Sequence, residues 1–194
     1  MNEQTPELNN AGTGTQKNKT NPMADIYDWA QSIVSAMVII MLIFTFAARG
    51  VQVVGSSMVP TLHEGDRIIV SSLLYTPEYG DIVVLRQSSY RDEPLVKRVI
   101  ATEGQTVDID FDLGVVYVDG EALDEDYTNS PTLVQEDFDG PVTVPEGCVF
   151  VMGDNRNAST DSRDADIGFV DTRSIIGKVY LRISPLSQFG SVYG

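Results

Sequence analysis

The chain holds one cysteine, Cys148, and one histidine, His63. A single cysteine excludes an internal disulfide and a thiolate-rich metal site, and one Cys with one His leaves a zinc site or a Cys/His dyad short of ligands. Basic residues are also scarce: 13 Lys and Arg stand against 28 Asp and Glu, a formal net charge of -15. Such a surface repels a phosphate backbone, and no Lys/Arg cluster interrupts it, so the charge argues against nucleic acid as a partner. The same shortage removes electrostatic attraction to an anionic membrane, so membrane attachment would need a hydrophobic anchor.

An anchor of that kind is present. Residues 1–22 (MNEQTPELNNAGTGTQKNKTNP) are too polar to bury a core, and residues 1–28 are expected to form a disordered N-terminus. Trp29 to Ala48 (WAQSIVSAMVIIMLIFTFAA) carries no charge. As a helix it would reach about 30 Å, the thickness of a bilayer's hydrocarbon core. Tyr27 and Trp29 stand where an interfacial aromatic anchor would. A removable signal peptide fits less well, because the leader is long and net acidic, and a core helix without a polar stripe needs a larger protein around it. The expectation is a transmembrane helix at 29–48. Lys17 and Lys19 before it match Arg49 and Arg67 after it in number, so charge does not orient the span.

The remaining residues, 49–194, read as one mainly β domain, an antiparallel folded sheet or open barrel. Apolar, β-branched runs occur at Arg67–Val70, Ile82–Leu85, Leu95–Ala101, Val107–Phe111, Val115–Val118, Val142–Val144, Val149–Met152 and Ile176–Ile183. Turn residues separate them, as in Tyr79-Gly80-Asp81, Asp119-Gly120 and Pro145-Glu146-Gly147. The acid-rich stretch Glu121–Asp126 reads as a solvated loop.

Hydrolytic chemistry has one promising start. Ser57 lies in VVGSSMVPTLHEGD, where Gly55 permits positive φ and Pro60 fixes the exit, so a turn could present both a hydroxyl and an N–H. A serine needs a base. His63 sits in HEGD, a turn leading into a strand. Of the lysines outside the polar N-terminus, Lys178 and Lys97, the latter is the odd one, lying inside the apolar run PLVKRVIA. Strand alternation sends Lys97 and Arg98 to opposite faces, so one should point inward. Apolar surroundings disfavour a charged amine and would convert Lys97 into a base, whereas a snorkelling lysine would stay charged. GDNRNASTDSR, Gly153–Arg163, is dense in side chains that bond backbone: Ser159 or Ser162 could accept from Lys97, and Asp154 and Asp161 could pair with arginines.

Taken in order behind one apolar span, GSSMVPTL, YGDIVVL, PLVKRVIATEG and MGDNRNASTDSR resemble the motif series of type I signal peptidases, over about residues 25–182. The resemblance implies a Ser/Lys serine protease that removes signal peptides from exported preproteins. It implies Ser57 as nucleophile, Lys97 as general base, Ser159 as the serine that bonds the lysine, and Arg98, Asp154, Asp161 and Arg163 as residues bracing the site. It further implies cytoplasmic residues 1–28, an extracytoplasmic β domain on a single-pass membrane anchor, preproteins with small Ala-X-Ala-type residues before the cut, and no metal or organic cofactor. Gly55 departs from members with a serine two positions before the nucleophile, so the oxyanion hole would use the Ser57 N–H with another donor, such as Ser56. The single span and compact size resemble the Gram-positive branch. Apolar residues after the span (Val51, Val53, Val54, Val59 and Leu62) are expected to hold the site at the bilayer surface. Two rivals are a self-cleaving repressor-type Ser/Lys protease, against which the apolar span argues, and a non-enzymatic membrane-anchored β module, which gives Ser57 and Lys97 no special role.

Overall fold

The computed structural model describes residues 22–87, 90 and 93–193. It separates into two units, residues 1–42 and 43–194.

In the N-terminal unit the apolar run forms helix α1, Pro22–Ala47. It begins before the expected boundary at residue 29, while the expected disordered leader up to residue 21 lies outside the described residues. Among the described residues no helix is long and apolar enough to cross a membrane. The side chains at 43–47 lie outside the described residues. The described side chains on the helix are exposed, including Met37, Ile39, Met41 and Leu42.

The second unit is mainly β, in two antiparallel sheets. The larger runs in the order β1 (Arg49–Gln52), β2 (Arg67–Ser71), β11 (Ile175–Ser184), β3 (Ile82–Leu85), β4 (Leu95–Thr102), β9 (Cys148–Met152) and β10 (Val170–Asp171). The smaller runs β7 (Glu121–Ala122), β6 (Val115–Val118), β5 (Thr106–Asp110) and β8 (Val142–Thr143). Each expected strand is present to within a residue or so at its ends. The three unexpected ones, β1, β7 and β10, are four residues or shorter, too short to show an alternating pattern.

Alternation along β4 divides the interior. On the Lys97 face, Leu95 and Val99 join Val83, Leu85, Val149 and Val151 in one apolar cluster. On the Arg98 face, Val96 packs against a cluster containing Val53, Met58 and Leu62. Val53 and Leu62 are therefore core residues and do not face a bilayer; of the five apolar residues expected at the surface, only Val54 is well exposed. Their burial follows from the loop after β1 folding back, with Val53 N–H donating to the Asp66 carbonyl and Gly65 N–H to Val53. A third cluster, around Phe138, Phe150 and Val116, fills the smaller sheet's side.

Candidate active site

Ser57 sits on the loop between β1 and β2. Gly55 has φ of 84°, a left-handed conformation that glycine adopts without a Cβ clash, and it swings the chain outward just before the serine. Met58, one residue on, is buried and ties the loop to the core below. Ser57 is thus half-buried, between exposed Ser56 and an apolar anchor. Among the described residues, no group accepts from the Ser57 N–H or exchanges a hydrogen bond with its hydroxyl. His63 is exposed in the turn entering β2, its N–H donating to Asp66, as HEGD suggested.

Lys97 and Arg98 are both buried, at 2% and 5% exposure, so the expectation that one of the pair faces inward holds for each. The sheet is covered on both sides at this point. Lys97 Nζ donates to Ser159 Oγ at 3.0 Å. Ser162, the alternative acceptor, is engaged elsewhere, its hydroxyl accepting from Val151 N–H. Arg98 makes a bidentate pair with Asp154 (2.8 and 2.7 Å), donates to the Gly80 carbonyl and lies 3.9 Å over the Tyr127 ring. Burial works against the Arg98 charge, but the hydrogen bond and charge of Asp154 outweigh it and leave its pKa raised. Lys178, the other lysine of the domain, is held by Asp81.

The Gly153–Arg163 segment is a rigid scaffold. Asp161 and Arg163 are fully buried and bidentate at 2.8 and 2.9 Å, Asp161 also accepts from Gly153 N–H, and Arg163 donates to the carbonyls of Val134 and Arg156. Gly153 is the point where the loops meet. A Cβ there would collide with the Ser159 side chain and with the Ser57 carbonyl oxygen, so both loops press on the same small volume. Asn155 then fastens them, its N–H donating to Ser57 O at 3.0 Å and its side-chain amide to Ser56 O at 3.1 Å.

Several of these residues escape a reading of the sequence. Asn155 and Gly153 lie inside the quoted motif, yet only the folded loops show what they touch. Arg156, 1% exposed, forms a bidentate pair with Glu125, which takes that residue out of the expected solvated loop. Tyr127, beside both arginines, has its phenol pushed far up by burial and by Glu125's charge, so it stays neutral. Among the described residues, no group of His, Cys, Asp and Glu is arranged to hold a metal ion.

The arrangement therefore offers a hydroxyl on an outward loop, and an amine in an apolar setting bonded to a neutral hydroxyl, with a glycine letting the two loops touch. The family described as "Signal peptidase, peptidase S26" matches residues 26–184. The chain belongs to that family. Membership makes it a peptidase. It is 40% identical to signal peptidase I S of Bacillus subtilis (strain 168), over 84% of this chain and 91% of the other. It is 35% identical to signal peptidase I of Bacillus licheniformis, over 90% and 97%. A solved structure of a signal peptidase I from Enterococcus faecalis V583 is 32% identical and covers 54% of this chain and 97% of its own, with a TM-score of 0.45.

Proposed function

We propose that the chain is a membrane-anchored serine endopeptidase that removes N-terminal signal peptides from exported preproteins, with Ser57 as nucleophile and Lys97 as general base. The observation that carries this reading is the setting of Lys97: a buried amine bonded to the neutral Ser159 hydroxyl, on a loop that touches the Ser57 loop through Gly153. Burial disfavours the ammonium and so favours the neutral amine that a general base requires.

In the first step the Lys97 amine takes the Ser57 Oγ proton as that oxygen attacks the scissile carbonyl, forming an ester to the enzyme and releasing the amine of the mature protein with a proton from Lys97. The same amine then takes a proton from water as it attacks the ester, and returns that proton to Ser57 Oγ as the bond breaks, so that the signal peptide leaves as a carboxylic acid that ionises in solvent. Charge developing on the carbonyl oxygen is met by the Ser57 N–H, with Ser56 on the same exposed stretch as the candidate second donor. Arg98 with Asp154, and Arg163 with Asp161, keep the two loops and β4 in register; they act as bracing. No metal or organic cofactor enters these steps.

The substrate class is exported preproteins with Ala-X-Ala-type small residues before the cut, bound as an extended strand whose alternate side chains enter shallow pockets. The anchor is the uncharged run Trp29–Ala48, with residues 1–28 on the cytoplasmic side and the β domain outside. The test is cleavage of a preprotein by the full-length protein in detergent, repeated with Ser57→Ala. Loss of cleavage supports the assignment, and full cleavage by the variant ends it. Flotation of the full-length protein with lipid vesicles tests the anchor separately; a protein left at the bottom of the gradient removes the membrane from the account.

A further inference from the structure

The turn that carries Ser57 is fastened at one end by Asn155, through the carbonyls of Ser56 and Ser57. Its other end is Thr61. Inside the turn, Val59 N–H donates to Ser56 O at 3.2 Å and Leu62 N–H to Met58 O at 2.9 Å, so Ser57 and Thr61 belong to one short hydrogen-bonded backbone unit. Thr61 is gripped from two sides. Its hydroxyl donates to Asp154 Oδ2, and its carbonyl accepts from Arg182 Nη1 of β11 at 3.1 Å. Arg182 also pairs with Asp66, which accepts from His63 N–H at the foot of the same loop. Asp154 is fully buried and is the residue that Arg98 of β4 holds in bidentate geometry. A continuous path therefore runs from Ser57 through Thr61, Asp154 and Arg98 to Lys97, the neighbour of Arg98 in β4.

We propose that Thr61 is a positioning residue for Ser57: its hydroxyl ties the far end of the nucleophile turn to the Asp154–Arg98 pair and so fixes Ser57 relative to Lys97. The proposal rests on the reading of Ser57 as nucleophile. Asp154 and Asn155 are consecutive, so both ends of the turn hang on one rigid segment. A turn held at one end can pivot about that point, whereas a turn held at both ends pivots only by breaking a second bond. Met58 and Leu62, packed in the core beneath, hold the turn down through apolar contacts, but such contacts are non-directional and do not set its orientation. The Thr61 bond is directional, and it lies in partly buried surroundings where water competes less for its partners. Loss of the hydroxyl leaves Asp154 with both of its bonds from Arg98, so the buried carboxylate is not stranded and the fold should survive.

The experiment is preprotein cleavage by full-length protein in detergent, with Thr61→Val, Thr61→Ser and Ser57→Ala beside the wild type. Thr61→Val keeps the side-chain shape and loses the bond. Its kcat is expected to fall by about tenfold, the worth of one hydrogen bond, while KM stays within about twofold because the substrate-binding surface is intact. Thr61→Ser can still donate to Asp154 and should return kcat to within about threefold of the wild type. Thermal midpoints of both are expected to stay within a few degrees, so the loss of rate does not follow a loss of folded protein. A Thr61→Val kcat within about twofold of the wild type overturns the proposal. So does a Thr61→Ser as damaged as Thr61→Val, because the methyl group would then be what matters. Should Thr61→Val fail to fold, Thr61→Ala against Thr61→Ser makes the same comparison, one hydroxyl apart. Full cleavage by Ser57→Ala brings down the nucleophile assignment itself; an inactive Ser57→Ala beside an unaffected Thr61→Val removes the positioning role alone.

Discussion

Lys97 and Arg98 are consecutive residues on β4, both cationic by type and both buried, and they differ in what receives them. Arg98 meets a carboxylate in bidentate geometry, a backbone carbonyl and an aromatic face. Lys97 donates to the neutral hydroxyl of Ser159. The Arg98 side is thus built to keep a charge, whereas Lys97 meets a hydroxyl in buried surroundings. A strand that alternates faces lets the fold do both within two residues, so bracing and chemistry share a backbone without sharing an environment.

The largest way to break this comparison is to exchange what each side does. Lys97→Met should abolish cleavage, a loss of about a thousandfold or more for removal of a general base and nucleophile activator, yet leave the thermal midpoint near or above that of the wild type. Arg98→Met should do the reverse in stability, because it strands the fully buried Asp154: about 3–5 kcal/mol lost in chemical denaturation. Equal stability losses in the two variants would remove the distinction. Next in size is Gly153→Ala, whose Cβ would drive the Ser57 and Ser159 loops apart. Activity should fall by about a hundredfold, as a misplacement of about 1 Å can cause, with a smaller loss of thermal midpoint, measured on the same preparation.

Ser159→Ala is expected to cost less, about fivefold to thirtyfold in kcat/KM from one lost hydrogen bond of about 1–2 kcal/mol, with stability little changed. The smallest effect belongs to Glu136. Its folded-state pKa, about 7, stands above the unfolded value of 4.5, so the native state binds the extra proton between those values. The stability it contributes is present below pH 4.5 and lost as pH rises to 7. The wild type should therefore lose slightly more stability than Glu136→Gln across that window in parallel urea titrations, and show no further difference above it.

How much of this was legible in the sequence depends on how local each feature is. The strands at Ile82–Leu85 and Val115–Val118 were visible to the residue because apolar, β-branched runs and flanking turns are local properties. That Lys97 and Arg98 take opposite faces was legible because alternation along a strand is local too. That both are buried was not, since burial of Arg98 depends on Asp154 and Tyr127, 56 and 29 positions away in the chain. Glu125 looked like one more acid in a solvated loop, because nothing nearby announces that Arg156 will come to it. Val53 and Leu62 looked like surface anchors for want of the turn that folds them under Met58. Ser57, Lys97 and Ser159 were named together only through the ordered motifs, while the touching point at Gly153 emerges from the packed loops.

The claim that Lys97 serves Ser57 as its base is met most directly by one measurement: preprotein cleavage by purified full-length Lys97→Ala, alongside its thermal unfolding curve. The account predicts a folded protein with a cooperative transition and no detectable cleavage. A folded variant that cleaves within about tenfold of the wild type, less than loss of a general base should cost, would contradict it.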